Sequence, residues 1–376
     1  MAVVFTKNYL DTDKLSTGNN WIIKYNSDTV GTVINSRVSF LGEQFYLDPD
    51  PDGNFSFDFS SCIGDKINTN NFNDANNNVD FSSDAGEVFN DGNAYKKVSV
   101  SISIFIEGAQ TNLYTQDYRF VTSVYDDEVY ELGVKNITPE VEILLPVVDG
   151  EQHIQGTSTQ PLDFSIYSRN DRGVQLFNLT NNTSTAISLL EGVNRVFLQD
   201  NFGDTIGATF VLDEGLNKIQ LDLESIPDPI YLYVTIKGNE CCSVLKWLNL
   251  EGGYGYHVFQ HKTEDYSSKT KGFLENDYGS FDDYESNAVS TGVDMIKLLG
   301  FTSIRISEIE LASLEGLISS PKVYHMLTNV DGDKVWKERV FKKGEMRINQ
   351  TGKRVFDFEI DLIKTCLLYT SPSPRD

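Results

Sequence analysis

Fifty-five Asp and Glu residues give this 376-residue chain ample material for acid–base chemistry, yet spacing singles out no two of them. Paired carboxylates cleave a glycosidic bond only when they flank it at a set separation, and carboxylates this numerous approach one another without any such purpose. The run Asp48-Pro49-Asp50-Pro51-Asp52-Gly53 has the oxygen-rich composition of a calcium loop. The twelfth position of that loop needs a bidentate carboxylate, and Phe59 stands there, so the run predicts a rigid turn instead. His257 and His261 would share a metal on a helix; here they flank the end of an aromatic strand, on one face but far apart. Adjacent Cys241 and Cys242 lack the spacer of a zinc pair and read as buried thiols. Gly253-Tyr254-Gly255 lacks the third glycine of a dinucleotide site. No P-loop, nucleophile elbow or metalloprotease motif occurs. The expectation is a chain with no catalytic residue, no cofactor and no metal.

The elements that would position any site are strands. Aromatic content is high, with 23 Phe and 18 Tyr, and Asn, Asp and Gly crowd between the β-branched runs, which suits strands joined by turns. Phe55, Phe57 and Phe59 alternate with polar residues, and Val98, Val100, Ile102, Ile104 and Ile106 alternate with Ser99, Ser101, Ser103 and Phe105. The Asn-rich stretch from Asn68 to Asn78 is too polar to be core. Strands are predicted at Leu162–Tyr167, Val174–Phe177, Ile230–Ile236, Val323–Leu327, Val335–Phe341 and Val355–Ile363, with Asp331-Gly332 as a hairpin turn. Glu191-Gly192-Val193-Asn194 and Glu214-Gly215-Leu216-Asn217 repeat 23 residues apart, each a Glu-Gly turn launching a strand, and predict similar hairpins within one sandwich. One helix is predicted. Ser307 and Glu310 form a capping box, Leu311, Leu314, Leu317 and Ile318 give the apolar face, and Pro321 ends it.

Charge is uneven along the chain. Residues 1–235 hold 13 Lys/Arg against 34 Asp/Glu, and residues 236–376 hold 18 against 21, which sum to the net −24. An acidic surface repels phosphate backbones, so broad nucleic-acid binding is disfavoured. Lys334 to Arg354 is locally basic, with eight Lys/Arg against two Asp/Glu, and suits solvent-facing hairpins or an acidic neighbour. Few cysteines at unsuitable spacings argue against a disulfide framework and fit assembly in a reducing cytoplasm. The N-terminus lacks the apolar core of a signal peptide, and no run approaches membrane-spanning length.

The most informative segment is Leu245-Lys246-Trp247-Leu248-Asn249, followed by Gly252-Gly253-Tyr254, Tyr256 and Phe259. An apolar strand runs into a Gly-Gly turn and returns as an aromatic strand. This pattern resembles a signature of phage tail and baseplate structural proteins of the distal-tail kind. The opening block from Trp21 to the Phe55–Phe59 strand, and the C-terminal order of helix, strand, Trp336 hairpin and final strand, are similar to the same proteins. The resemblance implies a virion structural protein that associates with itself, in rings, and with other tail proteins, assembled in the host cytoplasm. The rival is a surface or carbohydrate-binding β-sandwich protein. Residues 366–376, from Cys366 to Asp376, resemble a translated sequencing adapter, as in an open reading frame from an environmental assembly, and are set aside.

The expected architecture is therefore mainly β: two antiparallel β-sandwich-like domains, the N-terminal one over 1–138 and the second over 139–236, followed by a C-terminal α+β domain with one well-defined helix over 237–365. The charge difference predicts that the last of these carries the self-association surface.

Overall fold

The computed structural model describes the chain apart from residues 1–2, 10–12, 29–32, 75–78, 83–86, 107–108, 125–138, 208, 224–227, 239–242, 276–287, 353–354 and 371–376. It is mainly β, as expected, and its sheets are antiparallel except where Lys14–Ser16 runs parallel to Arg119–Val121 and His153–Thr157 parallel to Tyr233–Lys237. The boundary expected at 138 and the pair Cys241-Cys242 lie outside the described residues.

Two sheets pack face to face in the first part. Strands Val3–Lys7, Ile22–Ser27 and Phe55–Asp58 form one; Lys14–Ser16, Ala109–Val121, Tyr95–Ile106, Val33–Phe40 and Glu43–Leu47, in that order, form the other. Period-2 alternation drives the arrangement. Val98, Val100, Ile102, Ile104 and Ile106 all turn inward, against Trp21, Tyr25, Phe55 and Phe57 of the facing sheet. Each fully buried side chain of this size contributes about 1.5–3 kcal/mol. The Phe55–Phe59 strand stops one residue short of its pattern. Phe59 precedes a helix at Ser60–Ile67 that alternation did not predict, and still reaches the core beside Phe40 and Phe120.

A second pair of sheets follows. Val141–Ile143, Leu162–Ser168, Gly192–Gln199 and Val88–Asn90 make a four-stranded sheet. His153–Thr157, Ile230–Lys237, Gly215–Leu223, Arg172–Asn178 and Thr183–Leu189 make a five-stranded one. Val88–Asn90 comes from the first third of the chain and completes the sheet antiparallel to Asn194–Val196. The two Glu-Gly turns lie in one sandwich, in its facing sheets. Asn194 explains the repeat: its Oδ1 accepts the Leu190 N–H at 3.0 Å while its Nδ2 donates to the Leu190 carbonyl at 2.7 Å. Asn217 does the same with Asp213, at 2.9 and 2.7 Å. Both amides are fully buried, so each closes its turn from within.

The last part is one seven-stranded sheet in the order Tyr254–Phe259, Ser243–Leu248, Val323–Thr328, Lys334–Gly352, Val355–Thr370, Ala288–Ser307 and His261–Glu275. Helix Glu308–Ser319 covers it. Its capping box forms as predicted, with the Ser307 N–H donating to Glu310 at 2.8 Å and the Glu310 N–H to Ser307 Oγ at 3.2 Å. Leu314 and Leu317 are buried and Leu311 packs against the core, whereas Ile318 is 43% exposed and leaves the predicted apolar face. Residues 366–370, set aside at the sequence level, continue the last strand in pairing with Gly292–Ile296.

A five-residue turn recurs at four places among the described residues, starting at Asp50, Asp200, Asn249 and Asn329. In each, the first residue's N–H bonds to the carbonyl of the fifth, and its side chain accepts the fifth N–H at 2.8–3.0 Å. The Asp48–Gly53 run is thus the rigid turn its prolines predict, with the Asp50 carboxylate also accepting the Asp52 N–H.

Candidate functional site

The segment Leu245–Phe259 forms the hairpin its pattern predicts, Ser243–Leu248 antiparallel to Tyr254–Phe259. Every predicted motif residue falls on it. Lys246, Trp247, Leu248, Asn249, Tyr254, Tyr256 and Phe259 are all buried. None faces solvent as a binding platform.

The turn explains its own glycines. A Cβ on Gly252, whose φ is +93°, would lie 2.0 Å from the Thr122 carbonyl oxygen; one on Gly253 would lie 2.1 Å from that of Leu144. The first contact is with the N-terminal sandwich and the second with the next, so the turn is wedged between both. Asn249 donates from Nδ2 to the Leu144 carbonyl at 3.0 Å, and the Val124 N–H donates to the Leu250 carbonyl at 2.7 Å. Behind the turn, the Trp247 ring lies where a Cβ on Gly255 would be.

The cross-strand pair Lys246 and Tyr256 takes the hairpin into a sealed ionic cluster. Lys246 Nζ lies 2.5 Å from Asp74 Oδ2. Arg195 bridges from Asp74 to Asp163, with its Nε and Nη2 donating to Asp163 at 2.8 and 2.9 Å. Tyr256 donates its hydroxyl to Asp163. Rings close the cage: Tyr254, Tyr324 and Trp336 stand 5.2, 5.1 and 4.6 Å from Lys246 Nζ, and Tyr254 lies 4.4 Å from the Arg195 guanidinium. The four charged side chains are at most 1% exposed.

Their charges cancel, which is what allows such burial. Burial alone would raise the Asp74 carboxyl, but Arg195 and Lys246 outweigh it and hold that group below the usual carboxylate range. Burial likewise works against the Arg195 cation, and Asp163 and Asp74 more than restore it. Lys246 has the poorer bargain: burial lowers its ammonium and Asp74 offsets this only in part. Tyr256 is pushed up, first by burial and then by the Asp163 charge, and stays a neutral donor. Every charge is engaged inside the protein and shut off from solvent, so this arrangement organises structure.

Sequence reasoning found Lys246 and its neighbours but missed Asp74, Asp163 and Arg195. The stretch Asn68–Asn78 had looked too polar for core; the Asp74 side chain is nonetheless fully buried, because two buried cations require it. His257 is also interior, its Nε2 2.9 Å from Ser303 Oγ, while His261 begins the next strand in the open. Burial, followed by the Lys237 charge, drives His257 down to about 3 and keeps it neutral. Among the described residues no group of three or more His, Cys, Asp or Glu is placed to hold a metal ion. No described helix is long and apolar enough to cross a membrane.

No protein-family model and no curated protein matches this chain. Distant resemblances to solved structures exist. Fibronectin(III)-like modules of Clostridium thermocellum CbhA align over 63% of this chain and 94% of theirs, at 8% identity and TM-score 0.21. The BSP domain of a biofilm-associated protein aligns over 79% and 63%, at 9% identity and TM-score 0.19. A Ca2+-stabilized adhesin with which an Antarctic bacterium binds ice aligns over 98% and 97%, at 8% identity and TM-score 0.17. At such scores none of them carries an argument about this chain.

Proposed function

We propose that this protein is a non-enzymatic structural component of a phage tail or baseplate, acting by presenting rigid β-domains to copies of itself and to other tail proteins. The observation that supports this is the interior position of the Lys246–Tyr256 hairpin. Its turn is clamped by the N-terminal sandwich and the second sandwich, and its lysine shares the buried Asp74 carboxylate with Arg195 of the second. Further links tie the same parts: Lys14 pairs with Glu142 at 2.6 Å, and Glu191 receives Arg119 at 3.2 Å and the Tyr95 hydroxyl at 2.9 Å. A building block of this kind transmits position and needs no turnover. Residues 1–235 stay strongly acidic at neutral pH, so side-by-side contact through them costs like-charge repulsion; self-contact is assigned to the C-terminal sheet.

The test is light scattering and negative-stain imaging of the full chain over a wide concentration range. Closed multimers are expected. A chain that stays monomeric throughout, from a contig with no capsid, tail or terminase genes, sinks the reading. A second reading, a surface or carbohydrate-binding β-sandwich protein, is favoured by one observation, a cleft beside the second sandwich, lined by His153, Gln155, Leu216 and Glu310.

A further inference from the structure

Lys246 Nζ lies 2.5 Å from Asp74 Oδ2, and both side chains are shut off from solvent. Two anchors hold this approach. Tyr324, opposite Lys246 across the strands, accepts the Asp74 N–H at 3.0 Å, and Arg195 Nη1 donates to Asp74 Oδ1. One carboxylate oxygen therefore faces the lysine while the other is pinned to a guanidinium. A nitrogen so placed is about 3–3.5 Å from the carboxyl carbon, the separation of atoms about to react, and a fixed approach stands in for a very high reactant concentration.

An amine and a carboxylic acid are the reactive forms of such a pair, and the surroundings bring both within reach. Burial lowers the Lys246 ammonium, and Asp74 offsets this only in part. Arg195 and Lys246 together hold Asp74 ionised; once the lysine passes its proton to Oδ2, half of that hold is gone. Arg195 stays balanced meanwhile, because Asp163 takes its Nε and Nη2. Two buried charges vanish, and none is left uncompensated. Asp163 is no competitor for the lysine, since Arg195 engages both its oxygens and Tyr256 donates to one of them.

We propose that Lys246 and Asp74 join through an intramolecular amide bond. Nζ attacks Cγ, and Arg195 Nη1 stabilises the charge that gathers on Oδ1. The Cγ–Oδ2 bond breaks, and Oδ2 leaves as water with two of the three ammonium protons. The third proton stays on the amide nitrogen. The positive and negative charges of the pair cancel in the product, so the step consumes no second reagent. The product is a covalent tie from the Asn-rich loop to the last sheet, closing 172 residues of chain. It goes beyond the assembly role and is independent of self-association.

Mass spectrometry of the intact full chain, unfolded in acid, tests this, because an amide survives unfolding and an ion pair does not. The native chain should weigh one water less than its sequence, and a protease digest should yield a branched peptide that joins residues 74 and 246. Lys246→Arg keeps the charge without the reactive amine and should restore the full mass. A native chain of full mass overturns the proposal, whether or not that variant folds. So does a water loss that the digest places elsewhere, or one that persists in Lys246→Arg.

Discussion

Lys246→Met is the most direct probe of the buried ionic cluster. The substitution keeps volume and retains contact with Tyr254, Tyr324 and Trp336, since a thioether also packs well on rings. It leaves Asp74 with Arg195 alone and gives the sealed cluster a net charge of −1. Breaking a buried pair from one side costs about 3–5 kcal/mol, two to four powers of ten in the folding equilibrium. Asp74→Asn should cost a similar amount by leaving Arg195 and Lys246 to face one carboxylate. In that variant the lysine can escape by losing its proton. Its folded pKa already lies below the free value, so the unfolded state binds more protons and stability rises with pH; the deficit of Asp74→Asn should therefore shrink at alkaline pH. The double variant keeps the neutral Arg195–Asp163 pair and should regain at least about 2 kcal/mol relative to the sum of the singles. Urea unfolding followed by tryptophan fluorescence suits the measurement, since Trp336 sits 4.6 Å from the ammonium. Singles costing under about 1 kcal/mol each, with an additive double, would refute the coupling argument.

Gly252→Ala should lower the melting temperature far more than Gly53→Ala or Gly332→Ala, which have a similar positive φ but open space around them, and Gly253→Ala, without a positive φ, should do so through its clash with the Leu144 carbonyl alone; losses equal to those at Gly53 and Gly332 would discount the clamped turn. His257 has a folded pKa of about 3 against an ordinary 6.5, so its contribution is intact above pH 6.5 and falls as pH drops. The slope approaches about 1.4 kcal/mol per pH unit, and His257→Gln should flatten stability between pH 6.5 and 4.5, read by urea midpoints. Fragments 1–236 and 237–365 expressed separately should lack sharp melts, because the cut parts Asp74, Asp163 and Arg195 from Lys246 and Tyr256. Two independent cooperative transitions would contradict this.

The strands were legible because alternation is local: Leu232, Val234 and Ile236 announce an inward face without reference to anything distant. The capping box was legible for the same reason. What stayed hidden depends on separation. Lys246 sits between Leu245 and Trp247 on a strand buried on both faces, so a position that reads as solvent-facing is interior. Its partner Asp74 lies far off in sequence in a polar loop, and Arg195 and Asp163, which complete the cluster, sit in a Glu-Gly repeat and a predicted strand, where nothing marks them as ionic core. The motif residues were found by resemblance, and the reason for them, a turn pressed against two other sheets, exists only in three dimensions.

Asp74 and Lys246 are 172 residues apart, and that interval sets a schedule during synthesis. At about 5–20 residues per second, the carboxylate leaves the ribosome roughly 10–30 s before its lysine. Val88–Asn90 waits likewise for Gly192–Gln199. The first sandwich can collapse early, but Asp74 meets Arg195 only 121 residues later and has both its cations only once the last sheet emerges. The nascent chain is thus held open at its middle, and a ribosome stalled shortly before residue 246 would present an unfinished seam, the stage at which a holding chaperone is most needed.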